Sequence, residues 1–244
     1  MDWMNVLVMT ASLWSQAGAP AQPAAPPPPP AFEGSAEFSY VGTSGNSDTR
    51  SLGMGSALIF RPAAWTITSK AALVRSEDSG VTKAQSTTIS TQAERKVSDR
   101  YSVFGSHEYI RDRFAGISHR NTVEAGLAYA ALRSARQHLD VEAGLGYANE
   151  RRLAGANLSS AIGSATGTYK FALSDNATFE NELHAVTSFS NGRDQRLTNA
   201  ATLSATLTTV ISLKVKHLTR WVRSPVPGFR KTDTTTAVAL VAKF

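Results

Sequence analysis

Apolar and polar side chains alternate with period two along most of this chain, in segments of about ten residues. No stretch reaches the ~18 consecutive apolar residues of a transmembrane helix. The last segment shows the pattern most plainly. From Asp233 to Phe244, Val238, Leu240, Ala242 and Phe244 share one face, and Ala239, Val241 and Lys243 share the other. A final strand that stops on an aromatic residue is what closes a barrel in a bacterial outer membrane. It must pair with the first strand, because an open edge in lipid leaves backbone groups unpaired at a cost of several kcal/mol each. The two faces of such a wall average out, so a mean hydropathy of −0.18 is compatible with it. The pattern predicts an all-β protein, a single antiparallel transmembrane β-barrel of about 12 strands.

Upstream of the alternation the chain has a different character. Residues 1–17 read as a secretory signal peptide, with an apolar core from Val6 to Trp14 and small residues at Ser15-Gln16-Ala17 for cleavage. Asp2 precedes that core and no Lys or Arg does. Residues 18–33 form a Pro-rich periplasmic linker, since Pro26 to Pro30 have no N–H to give to a ladder. The barrel is expected over 34–244. Cysteine is absent, which suits an oxidising compartment. The net charge of +6 raises nucleic acid as a partner. However, no basic cluster is interleaved with aromatics, and the positive charges fall mostly in connections, so anionic lipid is the expected counterpart and nucleic acid is not.

Strands are expected near 35–43, 50–60, 65–75, 84–96, 101–111, 119–131, 137–149, 157–171, 177–189, 197–208, 211–223 and 233–244. Turn signals such as Arg61-Pro62-Ala63-Ala64 and Leu173-Ser174-Asp175-Asn176 alternate with longer connections, among them Ser44 to Asp48, Ser76 to Lys83 and Ser224 to Thr232. Short connections on one side and long ones on the other are the periplasmic and extracellular ends of such a barrel. Strand 157–171 is the exception, because its Ser, Ala and Gly content gives no clean alternation. Aromatics gather at strand ends as two girdles. Trp65, Tyr101, Tyr129 and Phe244 belong to the short-turn end, and Tyr147 and Trp221 to the other, as membrane-interface aromatics. Tyr101 to Tyr109 covers roughly 20 Å of a tilted strand, close to the ~25 Å apolar band. A soluble exported β-sandwich is the rival reading, and it predicts polar breaks at mid-strand on the apolar face.

Inward parity assigns charges of both signs to the lumen. The acids are Glu94, Glu108, Glu124, Asp140, Glu142, Glu180, Glu182 and Asp233, and the bases Lys70, Lys170, Lys214, Lys216, Arg220 and Lys243. They either pair across a plugged interior or line a water-filled path that sets ion selectivity. At the long-connection ends stand Arg111, Arg113, Arg120, Arg151, Arg152, Arg193, Arg196, Arg220, Arg223 and Arg230. These predict a rim for lipopolysaccharide phosphates, which a guanidinium fork suits, or else they are solvated loop charges.

Tyr40-Val-Gly-Thr-Ser-Gly-Asn46-Ser-Asp-Thr49 in the first hairpin, Pro227-Gly228, Asp233-Thr-Thr-Thr236 and the ending from Leu240 to Phe244 resemble the opening and closing signatures of the salt-induced outer-membrane protein family (YdiY-like, a domain-of-unknown-function family). The resemblance covers roughly residues 34–244. It implies an outer-membrane barrel linked to salt stress, and it brings no catalytic residues. Insertion by the barrel-assembly machinery through the strand ending at Phe244 is the expected route.

Other chemistry has little support. Ser190-Asn191-Gly192-Arg193 is similar to the nucleophile segment of an outer-membrane phospholipase, but Ser188 stands where that segment has its histidine. A serine without a base beside it is a poor nucleophile, and Ser-Asn-Gly is ordinary turn chemistry. His107, His119, His138, His184 and His217 show no metal-ligand spacing. No catalytic residue, cofactor or metal is therefore expected. The functional expectation is a narrow passive pore of the envelope-stress type, with a non-conducting barrel contacting lipopolysaccharide as the alternative and a lipid hydrolase as a distant third.

Overall fold

A computed structural model describes residues 29–43, 49–78, 80–113, 115–190 and 194–244. The first six strands are β1 (Phe32–Thr43), β2 (Thr49–Phe60), β3 (Trp65–Asp78), β4 (Val81–Lys96), β5 (Tyr101–Asp112) and β6 (Ile117–Arg133). The others are β7 (Gln137–Arg152), β8 (Leu158–Ala172), β9 (Ala177–Ser188), β10 (Gln195–Thr206), β11 (Ile211–Val222) and β12 (Thr232–Lys243). Each pairs antiparallel with its neighbours in sequence, and β1 meets β12, so the sheet is a closed barrel. The expected signal peptide and the start of the Pro-rich linker lie outside the described residues. β1 already begins at Phe32, opposite Phe60, two residues before the expected domain start.

Turn chemistry sets the short end. The Trp65 amide bonds to the Pro62 carbonyl at 3.0 Å, and the Tyr101 amide to Ser98 Oγ at 3.2 Å, which satisfies the donors where strands reverse. One long connection was not there. Instead of a loop from Ser76 to Lys83, β3 and β4 run on to Asp78 and Val81, with Gly80 at φ 76° in the hairpin. Polar residues such as Ser76 and Glu77 read as loop, but a strand rising beyond the bilayer is polar on both faces. Bulges at Ser76/Glu77, Ile110/Asp112 and Ala130/Leu132 adjust the register locally.

The apolar side chains face out. Leu58, Leu73, Val123, Leu127, Val141, Leu145, Leu183, Leu203 and Leu240 are all exposed, which is stable only where the solvent is lipid. Inside, Ala148, Ile162 and Val186 form a small apolar cluster, and Phe104, Ile110 and Val241 are buried elsewhere on the inner face. β8 also resolves. Its inner face runs Ser160, Ile162, Ser164, Thr166, Thr168 and Lys170, and its outer face Ala161, Gly163, Ala165, Gly167 and Tyr169. The middle of the strand is thus small on both sides, and a single apolar residue, Ile162, breaks the polar inner face.

Candidate functional site

A cavity of about 430 Å³ occupies the lumen. Lys70, Glu108, Glu124, Glu142, Lys170, Glu180, Glu182, Arg220 and Asp233 line it, together with a band of Ser and Thr hydroxyls. Glu94, Asp140, Lys214, Lys216 and Lys243 share the same inward register. Phe104 on β5 lies against the inner wall, its ring over Gly126 and Gly144. A Cβ added at either glycine would come within 2.8 Å or 3.2 Å of that ring. Bonds also cross the lumen. Gln92 Nε2 on β4 donates to Glu142 Oε1 on β7 at 3.2 Å, and Lys214 on β11 pairs with Glu37 on β1 at 2.5 Å. Lys170 pairs with Glu180 at 3.1 Å, and Arg133 pairs with Asp140. Among the described residues, Glu108, Glu124, Glu182, Lys70 and Lys216 have no ion pair.

The long-connection end of the lumen is built differently. Arg120 and Arg152 both bond Glu150, at 3.2 and 2.6 Å, Arg196 bonds Asp194 at 2.6 Å, and Arg220 bonds Asp112 at 3.2 Å. Their side chains are mostly buried, so the layer fills the mouth. Burial works to raise the Asp194 carboxyl, but the two-toothed bond from Arg196 and the fields of Arg120 and Arg152 outweigh it and hold it below the ordinary range. Above this layer the connection 223–231 folds inward as a cap. Val226 is buried, Phe229 packs against Gly116 and Pro227 against Gly155, and Arg152 Nη2 donates to the Ser224 carbonyl at 3.4 Å. Gly116 and Gly155 both take positive φ, so a side chain at either would be strained as well as in the way of the cap.

The arginine rim therefore splits. Arg111, Arg113 and Arg151 are exposed, and Arg193 lies outside the described residues. Arg152 is a correction. It belongs to the inward register of β7 and is committed to Glu150 and the cap, so it cannot serve an outer rim. Arg120, Arg196 and Arg220 turn inward in the same way. Of the girdle residues, Trp65, Tyr101, Tyr147 and Phe244 are exposed and Tyr129 and Trp221 half-buried. Arg95 stacks 5.8 Å over Trp65, and the rings of Tyr101 and Tyr129 are 5.0 Å apart. In the hydrolase-like segment, Ser188 Oγ accepts the Ser190 amide at 3.3 Å, and residues 191–193 lie outside the described residues. His184 bonds Thr166 in the lumen at 2.9 Å, while His107 and His217 face outward.

Sequence reasoning missed Glu37, Gln92, Asp112 and Glu150. Glu37 could have been found, since Phe38 and Tyr40 beside it mark the outer face. Asp112 and Glu150 lay in stretches taken for connections, where parity was not applied.

Comparison with known proteins gives three findings. A family model described as "Protein of unknown function, DUF481" matches residues 36–244. "Uncharacterized protein YdiY" of Escherichia coli (strain K12) is 24% identical over 196 residues, which is 80% of this chain and 75% of that relative. Among solved structures, the NanC porin has a TM-score of 0.52 at 11% identity, covering 87% of this chain and 98% of its own. The translocator domain of the autotransporter NalP from Neisseria meningitidis has a TM-score of 0.51 at 14% identity, covering 89% of each chain. These likenesses are likenesses of fold, and with the apolar outer band they place the chain as a multi-pass barrel of the outer membrane.

Proposed function

The chain belongs to the DUF481 family, and from that premise we propose that it is a narrow passive channel of the bacterial outer membrane, of the envelope-stress type, acting without catalysis. The observation that carries this reading is the set of unpaired lumen charges. A barrel filled only for structure would be expected to neutralise its interior. Here, among the described residues, Glu108, Glu124 and Glu182 stand without ion partners around a hydroxyl-lined cavity, which suits hydrated ions and small polar solutes. The proposed constriction is the capped mouth.

Single-channel recording of the refolded protein tests this, after a gel shift between unheated and boiled lanes has certified the barrel. Discrete steps are expected, and Glu142→Gln shifts the selectivity toward anions. A certified barrel that never conducts removes the channel. The stress assignment is tested separately, by protein level at raised salt in the source cell.

Exposed Arg111, Arg113 and Arg151 favour a second reading, a barrel held by lipopolysaccharide phosphates. Changing Arg111 and Arg151 to Gln lowers lipopolysaccharide retention if it is right. Entry through the assembly machinery belongs to either reading, and removal of Phe244 is expected to lower the yield of folded barrel in cells.

A further inference from the structure

The seam that closes the barrel is only half zipped. β1 pairs with β2 along all twelve residues, from Phe32 opposite Phe60 to Thr43 opposite Thr49. On its other side β1 meets β12 over four pairs, from Ser35 opposite Lys243 to Phe38 opposite Leu240. Reciprocal bonds between Gly34 and Phe244, at 2.8 and 2.9 Å, extend the zipped part toward the short-turn end. The register would next set Ser39 opposite Ala239, but among the described residues the ladder goes no further. β12 remains paired to β11 throughout this stretch. An unladdered pair of edges at bilayer level is costly unless something polar reaches it, and this unladdered stretch, the slit, lies on the extracellular side of the zipped pairs.

What lies around the slit indicates what it admits. Thr234 and Thr236 face outward along its β12 lip, and His217 bonds Thr236 at 2.8 Å. The extracellular part of that lip is therefore polar, while Val238 and Leu240 farther along it are apolar. Behind the slit is an inner bay of mostly small residues, Gly53, Gly55 and Ala57 on β2 and Ala237 and Ala239 on β12. The side chains of Ser39 and Glu37 on β1 lie over Gly53 and Gly55. Flanking this bay are three lysines. Lys214 is bonded to Glu37, whereas Lys70 and Lys216 have no ion partner among the described residues. By register Lys70, Lys214, Lys216, Glu37 and Glu182 all turn to the same inner face of the barrel. Lys170, Glu142 and Asp233 line the same lumen farther round.

We propose that the open half of the β1–β12 seam is a lateral port through which a single-chain anionic amphiphile of the outer leaflet enters, its carboxylate or phosphate head held by Lys70 and Lys216 and its chain lying in the slit. The ammonium groups of Lys70 and Lys216, which have no ion partner among the described residues, supply charge-assisted bonds to the head group, and the tail lies against the apolar outer side chains Phe38, Val238 and Leu240 beside the slit. The port does not require the lumen to conduct. A barrel without conductance would remove the channel reading and leave this one standing.

The test uses the full-length refolded barrel in dodecyl maltoside, a neutral detergent, with the fluorescent fatty acid cis-parinarate as probe. Dodecyl phosphate is expected to displace the probe about tenfold better than dodecanol does, a difference of the size one charge-assisted bond supplies. The double variant Lys70→Gln, Lys216→Gln loses that preference while keeping the heat-dependent gel shift. A second arm uses Ser39→Cys with Ala239→Cys. The chain has no other cysteine, so oxidation can join only these two positions, and only when the seam zips. Probe uptake is expected to fall on oxidation and return on reduction, which separates a closed port from a misfolded wall. Equal displacement by the alcohol and the phosphate overturns the proposal, and so does undiminished uptake in the oxidised seam.

Discussion

Replacing Gly126 with Ala tests the inner wall most directly. A Cβ there meets the Ala143 carbonyl oxygen, sits 2.7 Å from the Gly144 Cα and comes 2.8 Å from the Phe104 ring. Two of these three obstacles are backbone of the neighbouring strand, which can yield only by breaking the β6–β7 ladder. Overpacking of this kind costs about 1–3 kcal/mol. Gly167 is the matched control, because a Cβ added on the outer face of β8 meets nothing within 4 Å. Ala there narrows the unfolded ensemble without strain and gains about 0.4–1 kcal/mol. The two variants should thus move in opposite directions, separated by roughly 1.5–4 kcal/mol. Equilibrium urea unfolding of the refolded protein, followed by tryptophan fluorescence and by the fraction running as folded barrel on an unheated gel, measures both. A Gly126→Ala barrel as stable as the parent, with an unchanged urea slope, would refute the packing argument.

Three other outcomes follow from the same geometry. Phe229→Ala removes the ring seated on Gly116, and it is expected to raise the open fraction in single-channel recordings while leaving the unheated gel band in place. The Asp194 carboxyl is held low in the folded state, so its contribution is present above about pH 4, the ordinary value, and is lost as pH falls through the lower folded value. Asp194→Asn should therefore flatten the acid limb of a stability profile taken from pH 7 downward. On the lipid face, Asn199 Nδ2 donates to Asn181 Oδ1 at 3.2 Å and the reverse bond is 3.4 Å. Changing Asn199 to Leu strands the Asn181 amide at a cost of about 1–3 kcal/mol. Changing Asn181 costs less, because Asn199 Nδ2 still reaches the Glu182 carbonyl at 3.5 Å, and changing both should be neutral or stabilising in a double-mutant cycle.

Periodicity carried the fold because both solvents act on it. Lipid demands apolar residues at every second position, and a wet lumen tolerates charge at the others, so Leu139 to Tyr147 against Asp140 and Glu142 could be read as one strand without any structure. The register of a barrel strand has no slack, and Glu108, Glu124, Glu180 and Glu182 line the cavity on the parity that their sequence positions give. Legibility fails above the bilayer, where polar residues occupy both faces. There Arg151 and Arg152 look alike in sequence, yet one is exposed and the other is bonded to Glu150 beneath the cap. The cap was illegible for a related reason. Val226 and Phe229 sit among Pro and Gly in what reads as an ordinary long loop, and their seat is Gly116 on another connection, as Gly155 is the seat of Pro227, both glycines at positive φ. The half-zipped seam has no local signal at all, since β1 and β12 each carry ample strand propensity.

The cap and the ionic layer beneath it determine how often the mouth could open. Breaking a buried ion pair by deleting one partner is expensive because the survivor stays dry. Lifting the cap is a different event. It wets Arg120, Arg152, Glu150, Arg196 and Asp194 together, so their hydration offsets the loosened bonds and the pairs need not separate. What remains is the apolar contact of Val226, which is buried, and of Phe229, which is partly so. At about 1.5–3 kcal/mol for a fully buried side chain, the two together hold the mouth shut by roughly 2–5 kcal/mol. That corresponds to a closed state favoured by between about 30-fold and several thousandfold. The matching record is long closures broken by brief full openings, with the open fraction raised by Phe229→Ala and insensitive to Glu142→Gln. A channel that stays open from insertion would mean that the cap lies off the mouth in a bilayer, and the constriction would then have to be sought at Phe104.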